Sequence, residues 1–348
     1  MKSVNNSITE IQTEEDLEEE LSRPYSQDIE FASKLEGDVL ILGAGGKMGP
    51  TLARRISEAF KKAGKPNKTY AVSRFSDKYQ YEHLASLGIN VIKADLLNER
   101  QLNSLPNSPN ILFLVGTKFD TVGNESRTWA TNSFLPGKIA ERFPDSRISC
   151  LSTGNLYPPV SNTLGGSLET DTPSPKGEYA LSCLGRERIL EYFSRYYGTA
   201  ITMLRLNYSV EARYGVLLDI GKWVLGQKSI PLEMGYFNVI WQGDANSYAF
   251  RSLGIAKSPP QILNITGPET VSVRKVACDF GKRFGVDIRF HGKEKSTSFL
   301  SNAKLCYKLL GPPKVKLSQL IDLTSNWIIQ AGITLQKPTS FQIRDGRF

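Results

Sequence analysis

Residues 38–60 read DVLILGAGGKMGPTLARRISEAF. Val39 to Leu42 are apolar without interruption and lead into Gly43-Ala44-Gly45-Gly46-Lys47-Met48-Gly49, after which the spacing turns helical. A dinucleotide requires glycines at such a strand-to-helix junction for three reasons. They permit a tight turn, they let the backbone approach a pyrophosphate with no Cβ in the way, and they bring helix and strand into close contact. The start of the helix then offers unbonded N–H groups and partial positive charge to the anion. With a strand before and a helix after, Gly43, Gly45, Gly46, Lys47, Met48 and Gly49 are candidate cofactor contacts.

Outward from this loop, β-rich runs alternate with helical stretches. TYAVSR (69–74), INVIKAD (89–95), NILFLVG (110–116), RISCLST (147–153) and AITMLRLN (200–207) are the runs, and SRTWATNSFLPGKIAERF is one helical pattern between them. Continuous apolar strands joined by helices predict an α/β fold, a doubly wound, Rossmann-like parallel sheet covered on both faces. Beyond residue 207 the alternation weakens. YFNVIW and QILNIT still read as strands, and helices are expected near 314–331. Three regions follow: an acidic helical extension over 1–36, a cofactor-binding domain over 37–206, and a smaller mixed substrate lobe over 207–348 from which some segments return to the sheet. Within the extension, Ser26 is the expected N-cap of a second short helix, whose apolar residues would pack on the main domain or on another subunit. No function is expected there.

The chain has 348 residues, 40% hydrophobic and 22% charged, an ordinary globular balance. Residues 1–36 carry three Lys/Arg against ten Asp/Glu, a net −7, so with +8 overall the remainder carries +15. A basic body suits a phosphate-bearing cofactor or an anionic substrate, although scattered surface lysines give the same balance. The four cysteines form no C-x-x-C pair and there are two histidines, so neither a disulfide framework nor a metal site is expected. No basic block with interleaved aromatics points to nucleic acid. The polar start and the lack of a long apolar run predict a soluble, cytoplasmic protein without membrane contact. At the end of the second strand, where an acid would hold the ribose 2′-hydroxyl of NAD, Ser73 and Arg74 stand instead. A hydroxyl and a guanidinium suit a 2′-phosphate, so NADP(H) is favoured over NAD(H).

Gly43, Gly46 and Gly49 in G-x-x-G-x-x-G spacing, Thr153 at the end of the fifth strand, and Tyr179 with Glu187 in Y-x-x-x-C-x-x-x-E together resemble the extended short-chain dehydrogenase/reductase family, which includes sugar-nucleotide epimerases. The likeness runs on through R-L-N-Y (205–208), W-Q-G-D-A (241–245) and ILNITGPETVSVRKVA. It implies a hydride-transferring oxidoreductase or epimerase on a sugar or sugar-derived hydroxyl or ketone, working as a homodimer. It further implies that Thr153 orients the substrate oxygen and that Tyr179, also near the cofactor, moves the proton. Asp95, Leu96, Gly116 and Lys118 would be cofactor contacts, and Asn155, Asn207, Tyr208 and Arg213 would face the substrate. Gly154-Asn155 stands where the family's dehydratases have Asp-Glu, which disfavours dehydration.

Cys183 departs from the pattern. A lysine one helical turn after the tyrosine shares its face and lowers its pKa; a neutral thiol does not. Three explanations stay open: a cofactor-binding but inactive protein, a substitute cation (Lys118, Lys176 or Arg186), or chemistry by Cys183 itself.

Overall fold

The protein is described by a computed structural model over residues 8–118, 121, 123–337 and 339–346. Seven strands build the sheet: β1 Val39–Leu42, β2 Thr69–Ser73, β3 Asn90–Lys93, β4 Asn110–Phe113, β5 Arg147–Thr153, β6 Ile201–Leu206 and β7 Gln261–Ile265. Their order is β7-β6-β5-β4-β1-β2-β3, and every neighbouring pair is parallel. All four residues of β1 and of β4 are buried, because helices cover both faces, which is why these runs are apolar rather than alternating. The strand order reverses between β1 and β4. A crevice opens at the carboxyl ends of the strands there, the usual ligand position in such sheets.

The extension forms α1 Glu14–Ser22 and α2 Ser26–Lys34. Thr13 and Asp16 close a capping box on α1. Ser26, expected as the cap of α2, is instead its first helical residue; Tyr25 takes the cap position, and its N–H is satisfied by the Asp28 carboxylate. Leu17 and Leu21 pack with Val210, Val216 and Leu217, while Ala32 and Leu35 join the core behind the sheet. These residues pack on the main body of the same chain, one of the two destinations expected for this region. Asp28 and Arg55, both fully buried, pair at 2.7 Å and tie α2 to α3 Gly49–Lys62, the helix that follows the glycine loop.

Between β4 and β5 the expected single helix is interrupted. A short helix, Glu125–Trp129, gives way to a π-turn over Ala130–Phe134 and then to α4 Leu135–Arg142. Pro136 lacks the N–H that would bond the Asn132 carbonyl four residues earlier, so that carbonyl is left for another donor. The next helix, α5 Gly177–Tyr197, carries Tyr179. In the C-terminal part, YFNVIW breaks into two short strands, Tyr236–Phe237 and Ile240–Trp241, which pair with Val271–Ser272 and Ser209–Val210 respectively. QILNIT returns to the main sheet as β7.

Candidate active site

Two cavities lie over the carboxyl ends of the strands. The smaller, about 480 Å³, is bordered by Ser73, Arg74, Asp95 and Leu96. The larger, about 610 Å³, is bordered by Lys47, Met48, Gly49, Lys118, Thr153 and Tyr179. Both are walled by Gly43, Gly45, Gly46 and Gly116, so they form two ends of one cleft. The structure thus brings every residue proposed from sequence for cofactor and proton transfer to one crevice. Asn155, Asn207, Tyr208 and Arg213 border its larger end.

The glycine loop has the shape its sequence requires. Gly43 has φ +90°, and a Cβ there would come within 2.9 Å of the Val115 backbone nitrogen; a Cβ on Gly49 would strike the Ala44 carbonyl. Gly46 differs. A Cβ there would meet only the Gly43 carbonyl, at 3.3 Å, so this residue keeps a backbone surface open to the cleft.

At the other end, burial pushes the Tyr179 phenol well above its usual range; its hydrogen bond with Thr153 and the nearby Arg186 charge oppose that only in part. Burial likewise raises the Cys183 thiol, which hydrogen-bonds Tyr179. Both groups therefore keep their protons near neutral pH. Arg186 lies one turn beyond Cys183 and is buried. Its Nε donates to the Asn132 carbonyl at 3.1 Å, its Nη2 to the Asn132 side-chain oxygen at 3.1 Å, and its Nη1 to the Leu151 carbonyl at 2.5 Å. The first of these uses the carbonyl released by Pro136. All three acceptors are uncharged, so a permanent positive charge sits beneath the tyrosine, against Gly116. Lys118 borders the cavity, and burial lowers it to about 8, with Asp219 and Cys183 pulling it back up. Lys176, the third cation considered, is exposed and borders neither cavity end, which removes it as a substitute. Glu187 points away from the chemistry: it pairs with Arg205 at 2.7 Å and accepts from Ser152 Oγ at 2.6 Å, binding α5 to β5 and β6.

The substrate end has features sequence reading missed. Tyr208 holds φ +46°, a left-handed conformation uncommon outside glycine, at the turn that leaves β6. Lys47 reaches across from the glycine loop to the Ser209 carbonyl at 3.2 Å and lies 4.0 Å from the centre of the Tyr214 ring. Burial lowers Lys47 to about 7; Glu211 opposes this, while Lys118 and Arg213 add to it. Arg213, expected to meet substrate, is held by Glu211, Glu14 and Glu18. Glu18 belongs to α1, so the region expected to carry no function contributes a wall of the cavity. Leu335, Lys337 and Thr339 add a wall from the C-terminal tail. Thr339 donates twice to Asp219, and farther on Gly346 packs so tightly on Gly177 that a Cβ there would strike its carbonyl. Arg127 borders the smaller end beside Arg74, a second guanidinium that no motif marked. Among the described residues no helix is long and apolar enough to cross a membrane, and no cluster of three metal-binding side chains occurs.

A model of the NAD dependent epimerase/dehydratase family matches residues 39–212. No curated protein sequence matches the chain significantly. Solved structures with similar folds include UDP-glucose 4-epimerase from Thermotoga maritima, with UDP-glucose, at TM-score 0.68 and 16% identity over 84% of this chain and 99% of that one. A second is dTDP-glucose 4,6-dehydratase from Bacillus anthracis in complex with NAD, at TM-score 0.71 and 14% identity over 85% and 97%. A third is UDP-N-acetylglucosamine 4-epimerase from Bacillus cereus, at TM-score 0.65 and 17% identity over 85% and 100%. At such identities these structures speak for the fold, while the family match spans half of the chain and includes both the glycine loop and the tyrosine helix. The chain therefore belongs to the NAD dependent epimerase/dehydratase family, a family of enzymes.

Proposed function

We propose that the protein is a nicotinamide-dependent oxidoreductase or epimerase acting on a sugar-derived hydroxyl or ketone, with Tyr179 as its proton donor and acceptor. The observation that carries this reading is the convergence of Tyr179, Thr153 and the glycine loop on one cleft. The loop fits a dinucleotide: Gly46 has room where a Cβ would stand between backbone and phosphate, and α3 starts immediately behind it. Ser73, Arg74 and Arg127 border the adenosine end and favour NADP(H), with NAD(H) as the alternative. The nicotinamide, when bound, supplies the hydride exchange.

The protein's part is proton transfer and positioning. Thr153 holds the substrate oxygen by hydrogen bonding, and Tyr179 gives it a proton as charge accumulates there. Because burial keeps the phenol protonated, donation to a ketone oxygen is the easier direction. The phenolate left behind is steadied by the fixed charge of Arg186, which takes the place of the family's lysine from one turn farther along α5. Asn155, Asn207 and Tyr208 border the space for the substrate's remaining hydroxyls.

The test is turnover of a panel of free and nucleotide-linked sugars, followed through NADPH and NADH absorbance. Tyr179→Phe should lower kcat by about a thousandfold, and the cofactor Kd should change by less than about twofold. Undiminished turnover by that variant would overturn the role of Tyr179. Tight cofactor binding with no turnover by wild type would favour a non-catalytic, cofactor-responsive protein.

A further inference from the structure

The guanidinium of Arg213 is engaged by carboxylates on three sides. Its Nε lies 3.2 Å from Glu211, its Nη1 2.7 Å from Glu14 and its Nη2 2.6 Å from Glu18. Glu14 and Glu18 stand one turn apart on α1, ahead of the residues matched by the family model, and Glu18 borders the larger cavity beside Arg213. We infer that α1 supplies this end of the cavity with its own anions, so that the protein selects against a substrate carrying a diphosphate at Arg213 and takes a sugar-derived substrate that is uncharged there. This rests on the oxidoreductase reading above and names the substrate class of the same site.

An incoming phosphate group would meet an Arg213 whose three nitrogens are each already paired with a carboxylate, and Glu18, at the cavity border, would repel it at close range in a partly buried setting. The neighbouring cations offer little instead. Burial lowers Lys47 to about 7 and Lys118 to about 8, with Glu211 and Asp219 opposing it only in part, so Lys47 in particular carries less than a full charge near neutral pH. Lys337 is exposed, where solvent screens its charge. What borders the same space is suited to hydroxyl groups. Ser209 Oγ is buried without a hydrogen-bond partner, and Asn155, Asn207 and Tyr208 stand beside it.

The experiment is calorimetric titration of the full chain with UDP and UDP-glucose, the cofactor end being filled beforehand with saturating NADPH. Wild type should bind both weakly, and the double variant Glu14→Gln/Glu18→Gln should bind them at least ten times more tightly. That gain should vanish when Arg213→Gln is added. Glu18→Gln alone, at the cavity rim, should show a smaller gain and serves if the double variant does not fold. Equal affinity in wild type and the variants, or a gain that survives the loss of Arg213, would overturn the inference. Titration with NADPH and then NADH separates the two levels of argument: wild type that binds neither overturns the oxidoreductase reading, whereas normal cofactor binding without any gain for UDP overturns the substrate selection alone.

Discussion

The two ends of the cleft meet at Gly43 and Gly116 but are built differently. The cofactor end is founded on backbone, with the glycine loop and the start of α3 at its floor, and side chains such as Ser73, Arg74 and Arg127 added at its rim. The substrate end is side chains brought from α1, the turn after β6 and the C-terminal tail. A surface of backbone leaves its mark as missing side chains, and a chain can change much else while keeping it. A surface of side chains can be rebuilt piece by piece, and here Glu18, Leu335, Lys337 and Thr339 are the pieces that the sequence reading did not foresee.

This contrast can be broken by substitutions at either end. The largest effect is expected at Glu187, whose loss would strand the buried Arg205 charge. Glu187→Ala should destabilise the fold by about 3–5 kcal/mol in denaturant titration, with Tyr179 displaced as α5 loosens. A loss below about 1 kcal/mol would mean that this helix is held otherwise. Next comes Gly46→Val, which places methyl groups in the open face of the loop. Cofactor affinity should fall about a hundredfold, close to 2.7 kcal/mol, while the melting temperature stays within a few degrees. A large drop in melting temperature would show that Gly46 serves the fold rather than the ligand. Arg74→Ala should weaken NADPH binding about tenfold and leave NADH binding nearly unchanged. Equal losses for both cofactors would remove the ground for preferring NADP(H).

The smallest effect concerns Lys47, and its sign follows from linkage. Its folded-state pKa, about 7, lies below the ordinary 10.5 of a lysine, so between these values the unfolded chain binds more protons than the folded one. Stability from this group therefore rises with pH across that window, and its penalty is full below pH 7. Lys47→Met should raise the melting temperature by a few degrees at pH 6 and by progressively less towards pH 10. A gain that does not depend on pH would locate the strain in packing instead of charge.

Much of the fold was legible in the sequence because the constraints are local. Each parallel strand shows as an unbroken apolar run, and Gly43 must turn where no Cβ fits. Thr153 and Tyr179 could be placed through their spacing along one strand end and one helix. The rest depended on contacts that no local pattern encodes. Arg186 meets both the carbonyl and the side-chain oxygen of Asn132 across 54 residues. Arg213 meets Glu14 across 199. The acidity of the extension was visible, yet nothing in its spacing could say that two of its acids face an arginine in the substrate lobe.

The tail that reaches Asp219 and Gly177 has a consequence for the newly made chain. The smaller cavity is bordered by residues from Gly43 to Leu135, so its components leave the ribosome early, whereas the larger one is incomplete until Thr339 has followed. Domains tend to fold as they emerge, the N-terminal part first. The core behind the glycine loop still waits for Ala245, Phe250 and Leu263, and the wall of the larger chamber waits longest, for the segment from Leu335 to Thr339.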